Sequence, residues 1–340
     1  MKPEPTKEEQ ARMREHFLEP EVRDGVPITA EKKAVWKCLL DILEVVSGVC
    51  ERHGLRWSMC GGSMIGACRE HGFIQWDDDI DIMMPRPDYE KLLEVLPGEL
   101  PPHLHMQTSK TDPGMTAALM KVRDSRTTCI FEPFAKKNRF PLHMGIMLDV
   151  LPIDPDPDAP EERRRLDHRS VRLHGIRNFR YQRHILPEYS RFRPGTGLHP
   201  ESWKDTVWAM HLVKRPISLL LWFLAGGSDR LYEMRERPFR EMAKTPHPNW
   251  SIYPAHVGYI KRGHLKAEWL EEYIDVPFEY TTVKVLKHYD EALTQNFGDW
   301  RTPRKEPSGH DGVIQDPFTP YKETLLKKYG WTQREIDRLP

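Results

Sequence analysis

The chain has 340 residues, of which 30% are charged, and 51 lysines and arginines balance 51 aspartates and glutamates. That balance argues against a nonspecific nucleic-acid binder, which carries a basic excess, while the length allows one large domain or two modest ones. Five cysteines, an odd number with no CxxC pair, argue against a disulfide framework or a zinc site and suit reduced thiols in the cytoplasm.

Residues 1–27 read as a polar lead-in without the apolar stretch of a secretory signal. Thr29 is placed to cap a helix. Val35, Leu39, Ile42, Leu43, Val46 and Val49 then recur at mostly three- and four-residue steps, which predicts one buried helical face over residues 30–53, stopped by Gly54. A strand over 56–60 leads into the Gly61-Gly62 turn and a short helix over 63–69. Residues 73–76 and 80–84 read as extended, and a helix opening on Pro87 runs to 96. Further strands are expected over 104–108, 117–122 and 145–151. The proline- and aspartate-rich stretch 152–160 closes a core. Beyond it, 161–183, 203–224 and 281–296 read as helices. The domain reading is a lead-in (1–27), a catalytic core (28–157) and a helical C-terminal region (158–340). The fold class expected is α+β, a mixed sheet flanked by helices.

Two elements carry chemistry. Gly61-Gly62-Ser63 follows a strand and opens a helix, where glycines admit a phosphate to backbone amides and Ser63 adds a hydroxyl. About fifteen residues on stands Trp76-Asp77-Asp78-Asp79-Ile80-Asp81-Ile82. On an extended strand Asp77, Asp79 and Asp81 share one face, and Asp78 points the other way. Three like-facing carboxylates repel unless a cation neutralises them, and Mg²⁺ (or Mn²⁺) shared with substrate phosphates does so. Asp149, flanked by Leu148 and Val150, is costly if buried without a partner, and the same metal would supply one. A solvated loop is the common fate of an arbitrary acidic run, but alternation with Ile80 and Ile82 favours the site. An EF-hand loop fails on its spacing.

The stretch from Gly61 to Asp81, GGSMIGACREHGFIQWDDDID, resembles the glycine turn and WDDDID block of the LicD family. LDVLPID at 148–154 resembles that family's DIFPLD element, and KVRDSRT at 121–127 its KxRDxxT strand. Tyr289 and Leu293 followed by Phe297-Gly298-Asp299-Trp300 resemble a tyrosine, leucine, YGDYM pattern, and His310 falls where a histidine is frequent. Phe297 and Trp300 replace tyrosines, and Gln75 stands where proline is common. The likeness spans residues 30–310, with an undistinguished middle over 160–249.

The resemblance implies a nucleotidyltransferase-like fold. It also implies transfer of a phosphorylated alcohol from a CDP-alcohol, with CDP-choline favoured, onto a glycan or lipid-linked glycan such as a lipopolysaccharide or teichoic-acid precursor; fukutin-type relatives transfer ribitol phosphate. Asp77, Asp79, Asp81 and Asp149 are then the metal ligands, with Asp79, Asp81 and Asp149 catalytic and Asp149 the favoured general base. Gly61, Gly62, Ser63, Arg69, Lys121 and Arg123 are the phosphate contacts. For each of the last three, ordinary surface charge is an equal reading. Trp57, Trp76 and Trp300 are better read as structural than as a box for a quaternary ammonium. The arginines from Arg163 to Arg183 are a solvated face or a docking surface for an anionic precursor. The apolar run 219–225 is read first as a core helix, with peripheral contact at the inner face of a membrane as the alternative. Competing functions are a nucleotidyltransferase that releases pyrophosphate and a non-catalytic nucleotide- or glycan-binding module.

Overall fold

The apolar periodicity after Thr29 produces the longest helix of the core, α2 (Ala30–Arg52), whose N-terminus is capped by Thr29 accepting from the Lys32 N–H at 3.2 Å. Its buried face, which includes Leu39, Ile42, Leu43, Val46 and Val49, lies across the central sheet. This computed structural model describes residues 6–112, 114–115, 117–137, 141–181, 216–217, 219–252, 264–304 and 313–340. The expected His310 and Arg183, the run 203–215 and the side chain of Arg180 lie outside the described residues.

The central sheet is mixed. β4 (Ile80–Pro85) runs parallel to β8 (Met147–Pro155) and antiparallel to the short β3 (Ser58–Met59). β6 (Met120–Asp124) pairs antiparallel with β8 and with β5 (Leu104–Gln107). β9 (Asn249–Ser251) joins the last two residues of β8 and carries β10 (His264–Lys266). Ile80, Ile82, Met84, Leu148 and Val150 are fully buried, so the two parallel strands form the centre of the main core. Among the described residues the architecture is therefore mixed α/β, a sheet flanked by helices.

Several elements differ from expectation. The lead-in contains a helix, α1 (Lys7–Glu15), and a hairpin, β1 (Glu21–Arg23) with β2 (Val26–Ile28). The short helix after the glycine turn is α3 (Gly61–Ile65) followed by a π-turn (Gly66–Glu70). Residues 281–296 are not one helix: Thr281–Leu286 is strand β12, paired with β11 (Tyr273–Phe278), and α8 (Tyr289–Phe297) follows. The β-branched alternation Thr-Thr-Val-Lys-Val suits a strand, and pairing with β11 outweighs the apolar spacing. A second, smaller core gathers Ile130, Met144, Tyr321, Leu325, Trp331 and Ile336. There β7 (Thr128–Phe131) pairs with β13 (Val313–Asp316), and α5 (Glu132–Lys137) and α9 (Tyr321–Tyr329) pack alongside.

α4 (Arg86–Val95) starts directly after β4, with Pro87 in its first turn. Arg86 is 1% exposed and clasps Asp154, at the end of β8, through two bonds of 2.6 Å. Its remaining Nη1 meets Glu90 at 3.1 Å and Glu236 at 3.0 Å. Glu236 belongs to α7 (Ser228–Met242), which packs on α6 (Pro160–Tyr181). The apolar residues 219–224 are helical but do not enter the core: Leu220, Phe223 and Leu224 are 57%, 74% and 70% exposed. Among the described residues no helix is long and apolar enough to cross a membrane.

Candidate functional site

Strand register assembles the first part of the site. The parallel pairing of β4 and β8 sets Asp81 opposite Asp149, and the antiparallel pairing of β8 and β6 sets Asp149 opposite Lys121. Residues in direct register share a face of the sheet, so Asp81, Asp149 and Lys121 form a row across three strands. Lys121 Nζ reaches both Asp149 oxygens, at 2.7 and 2.5 Å. This corrects the expectation that Asp149 needs a metal to offset burial, because the lysine proposed for phosphate is already its partner. The two side chains are only 16% and 19% exposed.

The acidic run lies in front of that row. The backbone enters β4 only at Ile80, so Asp77, Asp78 and Asp79 precede the strand and do not alternate. Oxygens from all three lie within 4.8 Å of one another. Asp78 therefore joins the cluster, contrary to the expected outward direction. The Asp79 carboxyl is pushed well above the ordinary carboxylate range, first by burial, then by the charges of Asp81 and Asp77. An all-oxygen set of crowded carboxylates suits a hard cation such as Mg²⁺ or Mn²⁺.

Four side chains hold the main chain of this run. Trp36 Nε1 donates to the Asp77 carbonyl at 3.0 Å, Gln315 Nε2 to that of Asp78 at 3.0 Å, and Lys32 Nζ to that of Gln75 at 2.6 Å. Glu279 accepts from the Phe73 N–H at 2.9 Å and is itself gripped by both Nη atoms of Arg23, at 2.6 and 2.7 Å. A Cβ on Gly72 would lie 2.2 Å from Glu279 Oε1, so only glycine admits this contact. Arg23, Lys32, Trp36, Glu279 and Gln315 were not legible as site residues. Gly72, adjoining the acidic run, was the available signal.

The glycine turn has a sharper role than expected. Gly61 has φ +55°, and a Cβ on Gly62 would stand 2.9 Å from Asp77 Oδ2. The bare backbone thus lets a carboxylate lie over the turn. Ser63 is buried, and its Oγ accepts from the Asp81 N–H at 3.0 Å, tying the turn to β4. A cavity of about 310 Å³ opens beside Gly61, Gly62 and Asp81, walled by Met64, Leu293 and Phe297.

The other candidates are engaged elsewhere. Arg69 bonds Glu70 at 2.6 Å and the Trp300 carbonyl at 2.7 Å. Arg123 is buried, donating to Gln107 and to the Gly145 carbonyl, each at 2.6 Å. Trp57 and Trp300 are buried and Trp76 is half-buried.

Residues 54–144, which hold the glycine turn, the acidic run and Lys121, match the family described as LicD/FKTN/FKRP, nucleotidyltransferase domain. The chain carries a LicD family domain. The likeness extends well past that segment: the chain is 26% identical over 290 residues, 82% of its own length and 94% of the relative's, to the lipopolysaccharide cholinephosphotransferase LicD of Haemophilus influenzae.

Proposed function

We propose that this protein is a transferase of phosphocholine from CDP-choline to a glycan of the lipopolysaccharide kind, working with Mg²⁺ or Mn²⁺ on a nucleotidyltransferase-type core. The observation that carries this reading is the convergence of Asp77, Asp78 and Asp79 beside Asp81, the glycine turn and the in-register Asp149. Likeness to a cholinephosphotransferase over most of both chains supports the choice of transferred group. The five cysteines are all free, which supports the cytoplasm as its compartment.

In the proposed reaction an acceptor hydroxyl attacks the phosphorus that bears choline. The new phosphorus–oxygen bond forms as the bond to CMP breaks, and CMP leaves with the electron pair. Asp77, Asp79 and Asp81 would hold the metal ion, with Asp78 adding an oxygen and Asp149 alongside. The bound ion supplies positive charge against that developing on the phosphates. Asp149 accepts the proton of the acceptor hydroxyl, with Lys121 orienting its carboxylate. The bare turn at Gly61 and Gly62 sets the approach of the donor, and the frame around residues 73–79 keeps the carboxylates converged before substrate arrives.

The test is incubation with Mg²⁺ and a panel of CDP-alcohols, with and without glycan. CMP release that depends on CDP-choline and rises with glycan is the expected result. Pyrophosphate release from a nucleoside triphosphate, with no CMP from any CDP-alcohol, would replace this reading with nucleotidyl transfer. Nucleotide binding without either product would make the protein a binding module.

A further inference from the structure

The stretch between β8 and β9 contains an apolar helix that the core does not use. Over 217–224 the residues Ile217, Leu219, Leu220, Leu221, Phe223 and Leu224 are all exposed. At 100° per residue these positions cover an arc of about 200° around the helix axis. Trp222 points to the opposite side, half-buried, and donates its Nε1 hydrogen to Ser228 Oγ at 2.8 Å. Among the described residues Trp222 ties the helix to the start of α7, while the exposed apolar residues face outward.

The breadth of that arc selects the occupant. A helix packed on a flat protein face buries a stripe of roughly 100°. A stripe that narrow would leave much of this arc in water, whereas acyl chains wrap a convex apolar surface. Among the described residues no helix is long and apolar enough to cross a bilayer, and this apolar surface suits shallow insertion at headgroup depth. Basic side chains lie on α7, which follows it, and on α6, which packs against α7. Arg165 and Arg172 are exposed on α6, and Arg230 and Arg237 on α7, where Arg230 lies against the Gly226 turn that ends the apolar helix. Guanidinium groups beside an apolar wedge match the phosphates of an anionic leaflet.

We infer that the apolar helix over 219–224 is a peripheral membrane anchor, inserting its Leu220–Phe223–Leu224 surface among the lipids of an anionic bilayer. The inference rests on this surface alone and stands apart from the reading of the acidic site.

Vesicle flotation of the full chain tests it, using equimolar phosphatidylglycerol and phosphatidylcholine against phosphatidylcholine alone. The wild type is expected to float with the anionic vesicles and much less with the neutral ones. Leu220→Ser with Phe223→Ser and Leu224→Ser should reduce the bound fraction about tenfold at an unchanged melting temperature, because these side chains leave water only on binding. Arg165→Gln with Arg172→Gln and Arg230→Gln should weaken binding a few-fold and flatten its salt dependence. A wild type that floats with neither vesicle overturns the inference, as does a triple-serine variant that floats like the wild type. Light scattering that shows a wild-type dimer dissolved by the serine changes, with no flotation, would assign the surface to a second copy.

Discussion

The two central strands carry carboxylates at both ends of their pairing, and the ends are treated oppositely. Near the end of β8, Asp154 is buried with Glu236 and half-buried Glu90 around the Arg86 guanidinium. Burial pushes the Asp154 carboxyl up, and Arg86 opposes it. At the other end the leading influences on Asp79, burial and then Asp81 and Asp77, all push in one direction. The first group contains its own permanent cation. The second crowds like charge around Asp79, so that its carboxyl is driven up where Asp154 has a buried guanidinium to oppose the same push.

The contrast breaks most visibly at the clasp. Arg86→Met leaves Asp154 and Glu236 buried without their shared cation and should cost about 3–5 kcal/mol in urea unfolding; a loss near zero would erase the distinction between the two ends. Asp79→Asn is the converse. It should keep or raise the metal-free melting temperature, because it removes like-charge crowding. It should also cut CMP release about a hundredfold and abolish the stabilisation by Mg²⁺, about 2.7 kcal/mol at a hundred times Kd.

Asp149 stands between the two cases, since it has an internal lysine and yet lies in register with Asp81. Asp149→Asn should lower stability by about 1–2 kcal/mol by stranding the Lys121 ammonium, a reversal of the gain expected had a metal been its sole partner. If Asp149 is the base, turnover falls with it. Near-normal turnover together with lost stability would place it with the clasp.

A neutral counterpart extends the comparison into acid. His143 is buried, and burial followed by the Arg123 charge pushes its pKa down to about 2. A folded value below the unfolded one means the contribution to stability is complete above pH 6.5 and is lost as pH falls from there toward 2. Acid titration of stability should steepen by up to about 1.4 kcal/mol per pH unit below that point, and His143→Asn should flatten it.

What was legible in the chain follows the range of the forces involved. The periodicity of α2 and its Thr29 cap are local, and both were readable. So were the Gly61-Gly62 turn and the acidic run, because short spacing brings the residue types together. The direction of Asp78 was not readable, because strand alternation applies only from Ile80 and the run before it is shaped by Trp36 and Gln315. The Asp149–Lys121 pair depends on a register that no local pattern specifies. Apolarity at 219–224 was plain, but apolarity alone does not say whether protein covers it. Residues 281–296 misled because their spacing fits a helix while β11 supplies a strand partner.

The frame around the acidic run has a consequence for biosynthesis. Trp36 is already made when Asp77 emerges, but Glu279 holds Phe73 across 206 residues and Gln315 holds Asp78 across 237. At translation rates of 5–20 residues per second, roughly 12–47 s separate Asp78 from the residue that secures it. For that interval the nascent chain carries three adjacent aspartates on a loop that has Lys32 and Trp36 but still lacks Gln315. A transcript cut short before Gln315 would yield the strands of the central sheet without the contact that secures the Asp78 carbonyl. Elongation thus sets the earliest moment at which this loop reaches its final form, whatever the speed of folding elsewhere.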